Sequence, residues 1–153
     1  MRFPYTKTQI QGAVDARKHP RDWEPVTFEK SGERSRRCDM PLEREDGRDD
    51  RLRLVVRAGL LENPQSYQSS LLLEDQKIRG IDYHPIERRR FYREVSPKGW
   101  HEDRIDPNLA KDEKGQHERV SLPDFSPIDP VDFLRKSCQR WNIDLPPTDE
   151  SLL

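Results

Sequence analysis

The stretch that decides the fold is residues 66–106, SYQSSLLLEDQKIRGIDYHPIERRRFYREVSPKGWHEDRID. Residues 66–74 show the period of two that is typical of a strand with one buried face. Residues 77–83 show a weaker repeat with two isoleucines, and the polar pair 75–76 has the length of a hairpin connection. The stretch therefore predicts an antiparallel β-hairpin at the centre of the fold.

Gly80 interrupts the second strand of this hairpin, and an interior glycine in a strand marks a bulge or a close backbone approach. A bulge would let Ile78 and Ile81, three positions apart, both face the core. Residues 51–57 alternate in the same way, and residues 88–95 are interpreted as a further strand. Together these segments predict an antiparallel meander.

The clearest helix signal lies near the C-terminus, where Asp129 suits the N-cap and Pro130 suits the first helical position. Apolar residues then recur at helical spacing. They are Val131, Phe133, Leu134, Cys138 and Trp141. An amphipathic helix of this size has to bury its apolar stripe, and the apolar face of the meander is the most economical place for it.

The sequence therefore predicts an α+β fold, in which an antiparallel β-meander of about four to six strands carries the C-terminal amphipathic helix on one face. A short N-terminal helix is predicted from Thr8 to Lys18. Further strands are predicted at 23–28 and 34–42.

A length of 153 residues suits one domain, which we place at residues 1–145. Within it, the charged segment 43–51 and the polar segment 107–118 are predicted to be loops. Residues 146–153 are predicted to form a frayed acidic tail.

The composition indicates a small core and an intracellular protein. Hydrophobic residues make up 31% of the chain and charged residues 37%, with a net charge of −1. Only two cysteines are present, at positions 38 and 138, so a disulfide framework is excluded and a reducing compartment is favoured. The N-terminus lacks a signal-peptide pattern, and every apolar run falls short of the ~18 residues of a membrane span, so we expect a cytoplasmic protein without membrane contact.

The basic residues are mostly arginine, with 20 Arg and 8 Lys. Arginine recognises phosphate and carboxylate through its planar fork, although a GC-rich genome would give the same excess. The pI of about 6.4 is below the range typical of nucleic-acid-binding domains. Arginine content therefore does not decide between an RNA partner and a protein partner.

His84 and His101 are the strongest candidates for catalysis. They lie at the end of one strand and just past the next turn, and Arg104 follows. Two imidazoles could serve as general base and general acid, while the arginine holds a phosphate. This combination would suit a small ribonuclease-like hydrolase, comparable in kind to toxin nucleases, and surface histidines in strand-end turns are the alternative.

A metal site is a weaker alternative at the same place. Asp82, His84 and His101, with Asp103 or Asp106, offer imidazole and carboxylate ligands for a divalent metal. The HxH, HExxH and paired-cysteine spacings of metal motifs are absent, so neither a metal nor another cofactor is predicted.

The segment around Arg88, Arg90 and Tyr92 interleaves basic and aromatic residues, as surfaces that bind nucleic acid do. Trp100 is a candidate anchor for a protein interface. We therefore expect a macromolecule-binding domain whose first candidate partner is a protein or a second copy of the chain, and whose second is RNA. The alternative is the hydrolase that uses His84 and His101.

Overall fold

A computed structural model describes residues 4–30, 35–48, 51–59, 66–85, 88–89, 95–96, 98–107 and 117–147. The helices are α1 Lys7–Asp15 and α2 Pro130–Arg140. The strands are β1 Lys18–Pro20, β2 Glu29–Lys30, β3 Ser35–Arg44, β4 Leu52–Gly59, β5 Gln68–Leu73, β6 Gln76–His84, β7 Arg88–Arg89, β8 Val95–Ser96, β9 Gly99–Ile105 and β10 His117–Ser121.

The described strands form one open antiparallel sheet of eight strands in the order β1-β3-β4-β5-β6-β9-β10, with β2 also paired to β3. Strands β7 and β8 pair with each other as a separate two-stranded sheet. The predicted α+β class is confirmed, but the predicted count of four to six strands is too low. The neighbour of β6 in the sheet is β9, whereas the predicted strand at 88–95 is described only at its two ends.

The central hairpin, β5–β6, turns through Glu74 and Asp75, one residue earlier than the predicted connection. Both have positive φ, +48° and +64°, as in the type I′ turns that suit right-handed strand twist. The register places Arg79 opposite Leu71 but Lys77 opposite Leu72. A bulge is therefore present in β6, as predicted. The extra residue is Ile78, which lies between these two pairs, and not Gly80.

Helix α2 covers the apolar face of the sheet, as predicted. The Asp129 side chain accepts a 2.8 Å hydrogen bond from the backbone N–H of Asp132, with Pro130 as the first helical residue. The hydroxyl groups of Ser69 and Ser137 lie 2.9 Å apart and join β5 to the helix. The face beneath α2 is formed by buried residues of the central strands, namely Leu54, Val56, Leu71, Leu73 and Ile81.

Helix α1 begins at Lys7 with Thr6 as its N-cap, two residues before the predicted cap at Thr8. Thr6 and Gln9 form a reciprocal capping box, with bonds of 3.1 and 2.9 Å. The inward residues of this helix are Ile10, Ala13 and Val14, all buried.

Lys18 closes the C-terminal end of α1. Its side chain is 0% exposed, and its Nζ donates hydrogen bonds to the carbonyl oxygens of Ala13, Val14 and Ala16 at 2.8, 2.6 and 2.6 Å. These bonds use all three ammonium donors. The Lys18 backbone also pairs with the segment after α2, through Asn142 and Asp144, at 3.0 and 2.8 Å.

The N-terminal half departs from the sequence prediction in further places, and one is that α1 ends at Asp15 rather than Lys18, which begins β1. Residues 23–28 form no strand, although Val26 and Phe28 are buried as expected. The strand predicted at 34–42 is present as β3 and extends to Arg44, so it takes up the start of the predicted charged loop at 43–51.

Candidate metal centre

The pairing of β6 with β9 brings Asp82 and His101 directly opposite each other. Because side chains alternate along a strand, His84 lies on the same face as Asp82, two residues further on. This face points away from α2, since the adjacent Ile81–Glu102 pair faces the helix through the contact of Glu102 with Trp141. The candidate centre therefore occupies the side of the sheet opposite the core.

The two imidazoles and the carboxylate converge. The ring centroids of His84 and His101 are 4.2 Å apart, with 49° between the ring planes. The Nε2 atom of His84 lies 3.8 Å from Oδ2 of Asp82, and Nε2 of His101 contacts Oδ1 of the same carboxylate. One ligand atom from each of the three residues can be chosen so that all lie within 4.8 Å of one another.

Three polar atoms of this group are buried without a hydrogen bond of ordinary geometry to any described residue. They are Nδ1 and Nε2 of His101 and Oδ1 of Asp82. The His101 side chain is 0% exposed, whereas those of Asp82 and His84 retain 23% and 12% exposure. Nε2 of His101 and Oδ1 of Asp82 contact each other, so the Asp82–His101 ion pair holds the buried part of the cluster together.

The neighbouring charges favour an ionised pair at this place. Burial lowers the pKa of His101, but contact with Asp82, the charge of Asp103 and the carbonyl of Gly99 outweigh burial, so the net shift is upward. Burial raises the pKa of Asp82, but the contact with His101 and the charge of His84 bring it below its usual value. A metal ion would replace the imidazolium proton in the same field.

Asp103, a predicted fourth ligand, lies beside the group. Its Oδ1 is 3.6 Å from Nε2 of His101, and it accepts a 2.7 Å bond from Arg119 on β10. Its Oδ2 is 3.4 Å from the ammonium of Lys77, which crosses over Gly80. These two cations hold the carboxylate in place next to the imidazoles.

Arg104 does not join His84 and His101. It follows His101 by three positions in a strand and so lies on the opposite face of the sheet, where its Nε donates a 2.7 Å bond to Glu102. The structure therefore separates the predicted phosphate-holding residue from the two imidazoles.

Trp100, the predicted interface anchor, packs against the core. Its ring lies 5.2–6.4 Å, centroid to centroid, from four aromatic rings, and the tryptophan is partly buried. The four rings belong to Tyr67, Tyr83, Phe125 and Phe133.

The predicted binding residues of the arginine segment cannot be placed. Arg88 is described by its backbone in β7, and Arg90 and Tyr92 lie outside the described residues. Cys38 is buried, and burial raises the pKa of its thiol to about 12.

Comparison with models of known protein families, with curated proteins and with solved structures finds no match to this chain. Neither helix of the described chain combines the length and the apolar composition needed to cross a membrane.

Proposed function

We propose that Asp82, His84 and His101 bind a divalent transition-metal ion, with zinc as the first candidate. The observation that carries the proposal is the convergence of two imidazoles on one carboxylate, with one possible ligand atom from each residue within 4.8 Å of the others. Imidazole and carboxylate together suit zinc, manganese or iron. Bonds of about 2.0–2.2 Å to one ion would draw the ligands together by about 1 Å, a shift within the reach of side-chain rotation.

Three protein ligands leave at least one coordination position for water or substrate, whereas structural zinc sites are closed by four. The partial exposure of Asp82 and His84 supplies a route from solvent to this position. A hydrolytic role would follow from a metal-bound water of lowered pKa. The hydrolase alternative is therefore best supported in a metal-dependent form.

The metal-independent ribonuclease is supported less well. His101 is fully buried, so a substrate cannot reach its ring nitrogens directly, and Arg104 lies on the other face of the sheet. Binding of a protein, a second copy or RNA through the arginine segment stays a prediction, because Arg90 and Tyr92 lie outside the described residues.

The proposal is tested by titrating metal-free protein with zinc in competition with a chromophoric chelator. We expect one ion per chain in the wild type. His84→Ala and Asp82→Asn should each weaken binding by about tenfold or more, since each removes a ligand. Cobalt substitution should give visible absorption bands whose intensity reports four- or five-coordinate geometry, and His84→Ala should change them.

His19→Ala is the matched control, because His19 lies on β1 outside the cluster, 3.5 Å from Glu43. It should bind zinc as the wild type does. Circular dichroism of each variant establishes that the fold is intact. Absence of stoichiometric binding to folded wild-type protein, or equal loss in His19→Ala and His84→Ala, would refute the metal centre.

A further inference from the structure

A second polar site lies on the other face of the sheet, in a cavity of about 270 Å³ between α1, β6, β9 and the end of α2. Three arginines line it, Arg79 from β6, Arg104 from β9 and Arg140 from α2. The remaining lining residues are Gln11, Val14, Asp15, Glu102 and Trp141. The cavity is separate from the candidate metal centre, because its strand residues point to the helix side of the sheet.

Arg79 is a buried cation that has no carboxylate partner within 4 Å among the described residues. It is 6% exposed, and its guanidinium donates to the carbonyl of Ile78 at 2.8 Å and to the side-chain oxygen of Gln11 at 3.0 Å. Buried charges in proteins are usually paired. Burial lowers the pKa of Arg79, and although Glu102 opposes this, the neighbouring charge of Arg104 adds to it.

The carboxylate of Glu102, which also lines the cavity, has no acceptor position left for Arg79. Its two oxygens accept 2.7 Å from Arg104 Nε, 2.8 and 3.3 Å from two nitrogens of Arg140, and 2.8 Å from Trp141 Nε1. Four bonds use the four acceptor positions of a carboxylate. Glu102 therefore contacts two of the three guanidinium groups, those of Arg104 and Arg140, and leaves Arg79 without a carboxylate in direct contact.

The register of β6 and β9 gives a second indication that the cavity has an excess of positive charge. Arg79 and Arg104 are direct partners across the β6–β9 pair. Like charges directly opposite each other in a sheet are destabilising. Asp15 at the cavity wall and Glu118, the β10 partner of Arg104, reduce the local charge, but neither lies within 4 Å of an arginine of the cavity.

We propose that this cavity binds a small oxyanion, a phosphate monoester or a carboxylate, between Arg79, Arg104 and Arg140. Guanidinium groups match both anions through paired N–H donors. Arg104 and Arg140 are about one-third exposed and use only part of their N–H donors on Glu102, so both retain donors for a ligand. The volume suits a ligand smaller than the drug-sized molecules that fill pockets of about 300–1,000 Å³.

The test uses the full chain in low-salt chloride buffer, titrated in separate arms with inorganic phosphate, glycerol phosphate and malonate, and followed by calorimetry. Trp141 lines the cavity, so its fluorescence gives an independent readout. We expect saturable 1:1 binding of at least one anion, and the arm that binds most tightly identifies the class. Arg104→Gln should weaken this binding by about tenfold or more, as expected for loss of a charged hydrogen-bond donor.

Arg57→Gln is the matched control, because Arg57 is an exposed arginine on the opposite face of β4. It should bind the anion as the wild type does. Arg79→Met should lose anion binding while raising the melting temperature of the anion-free protein, because it removes a buried unpaired charge. No saturable binding in any arm, or equal affinity in Arg104→Gln and Arg57→Gln, overturns the proposal, and so does wild-type affinity in a folded Arg79→Met.

Discussion

The indole Nε1 of Trp141 donates a 2.8 Å hydrogen bond to the carboxylate of Glu102, which ties the end of α2 to the middle of β9. Trp141 is 0% exposed and Glu102 3% exposed. The largest side chain of the core thus satisfies its one polar group on a buried strand residue. The same contact sets the position of the helix over the sheet and of the carboxylate beneath the arginine-lined cavity.

Trp141→Ala should therefore unfold or strongly destabilise the protein. Loss of a buried tryptophan costs about 3–5 kcal/mol through lost apolar burial and the cavity left behind. Thermal denaturation followed by circular dichroism measures the effect. Trp23→Ala is the control, since Trp23 is 55% exposed and its loss should change stability little. A decrease in melting temperature below about 2 °C for Trp141→Ala would contradict the packing described.

Acid should weaken the fold through Glu102. Burial acts to raise the pKa of Glu102, but hydrogen bonds from Arg140, Arg104 and Trp141 outweigh it, so the pKa lies below the usual 4.5. The unfolded chain then binds this proton more tightly than the folded chain. The contribution to stability is thus present in full above pH 4.5 and is lost as the pH falls through the folded-state pKa.

Urea unfolding of the wild type and Glu102→Gln between pH 7 and pH 3 measures this contribution. The stability difference between the two proteins should shrink as the pH falls. Glu24→Gln, at an exposed position, serves as the comparison for loss of one negative charge. A difference that stays constant over the whole range would show that Glu102 is not stabilised in its ionised form.

Lys18→Met should destabilise α1. The substitution keeps the length of the side chain but removes the ammonium group that satisfies the carbonyls of Ala13, Val14 and Ala16. Each buried acceptor left without a partner costs about 1–3 kcal/mol. Relative to the wild type, amide hydrogen exchange should become faster in α1 and stay unchanged in β4. Lys7→Met, at an exposed position of the same helix, should leave exchange in α1 unchanged. Unchanged exchange in Lys18→Met would rule out the ammonium as the cap of α1.

Two glycine substitutions should change stability in opposite directions. A Cβ added at Gly12 or at Gly99 would meet no atom within 4 Å, so crowding plays no part in either. Gly12 is inside α1, where alanine is favoured by about 1 kcal/mol. Gly99 has φ of +90°, and alanine there should cost about 1–3 kcal/mol of strain. Chemical denaturation of the two variants gives the signs, and equal signs would be inconsistent with this backbone.

The helix α2 and the strand β4 were predictable because their apolar residues keep one period throughout, and β5 and β6 were predictable as two strands joined by a short polar connection. Asp129 and Pro130 mark the start of α2 without ambiguity. The start of α1 was not decided by sequence, since both Thr6–Gln9 and Thr8–Gln11 fit the spacing of a capping box. In the structure the first pair, Thr6 and Gln9, forms the capping box.

Strand β9 escaped prediction because two of its residues that point to the core side are charged. Glu102 and Arg104 are accommodated there only because α2 brings Arg140 and Trp141 to the same carboxylate. Such a partnership between distant segments leaves no periodic signal in the sequence.

The candidate metal centre could be predicted from the sequence only in part. Asp82 and His84 are two positions apart in a predicted strand and must share a face. The approach of His101 depends on the β6–β9 register, which the sequence does not specify. Given that β9 is a strand, its alternation alone would have placed Arg104 on the face opposite His101.

The cover that α2 provides has a consequence for synthesis on the ribosome. Strands β3 to β6 emerge and can pair well before residues 130–144, which supply the helix and the partner of Lys18. Until residues 130–144 leave the exit tunnel, the nascent sheet presents a bare apolar surface that includes Leu54, Val56 and Leu71. Chaperone engagement is therefore expected to be greatest after β6 has emerged and before residues 130–144 have done so.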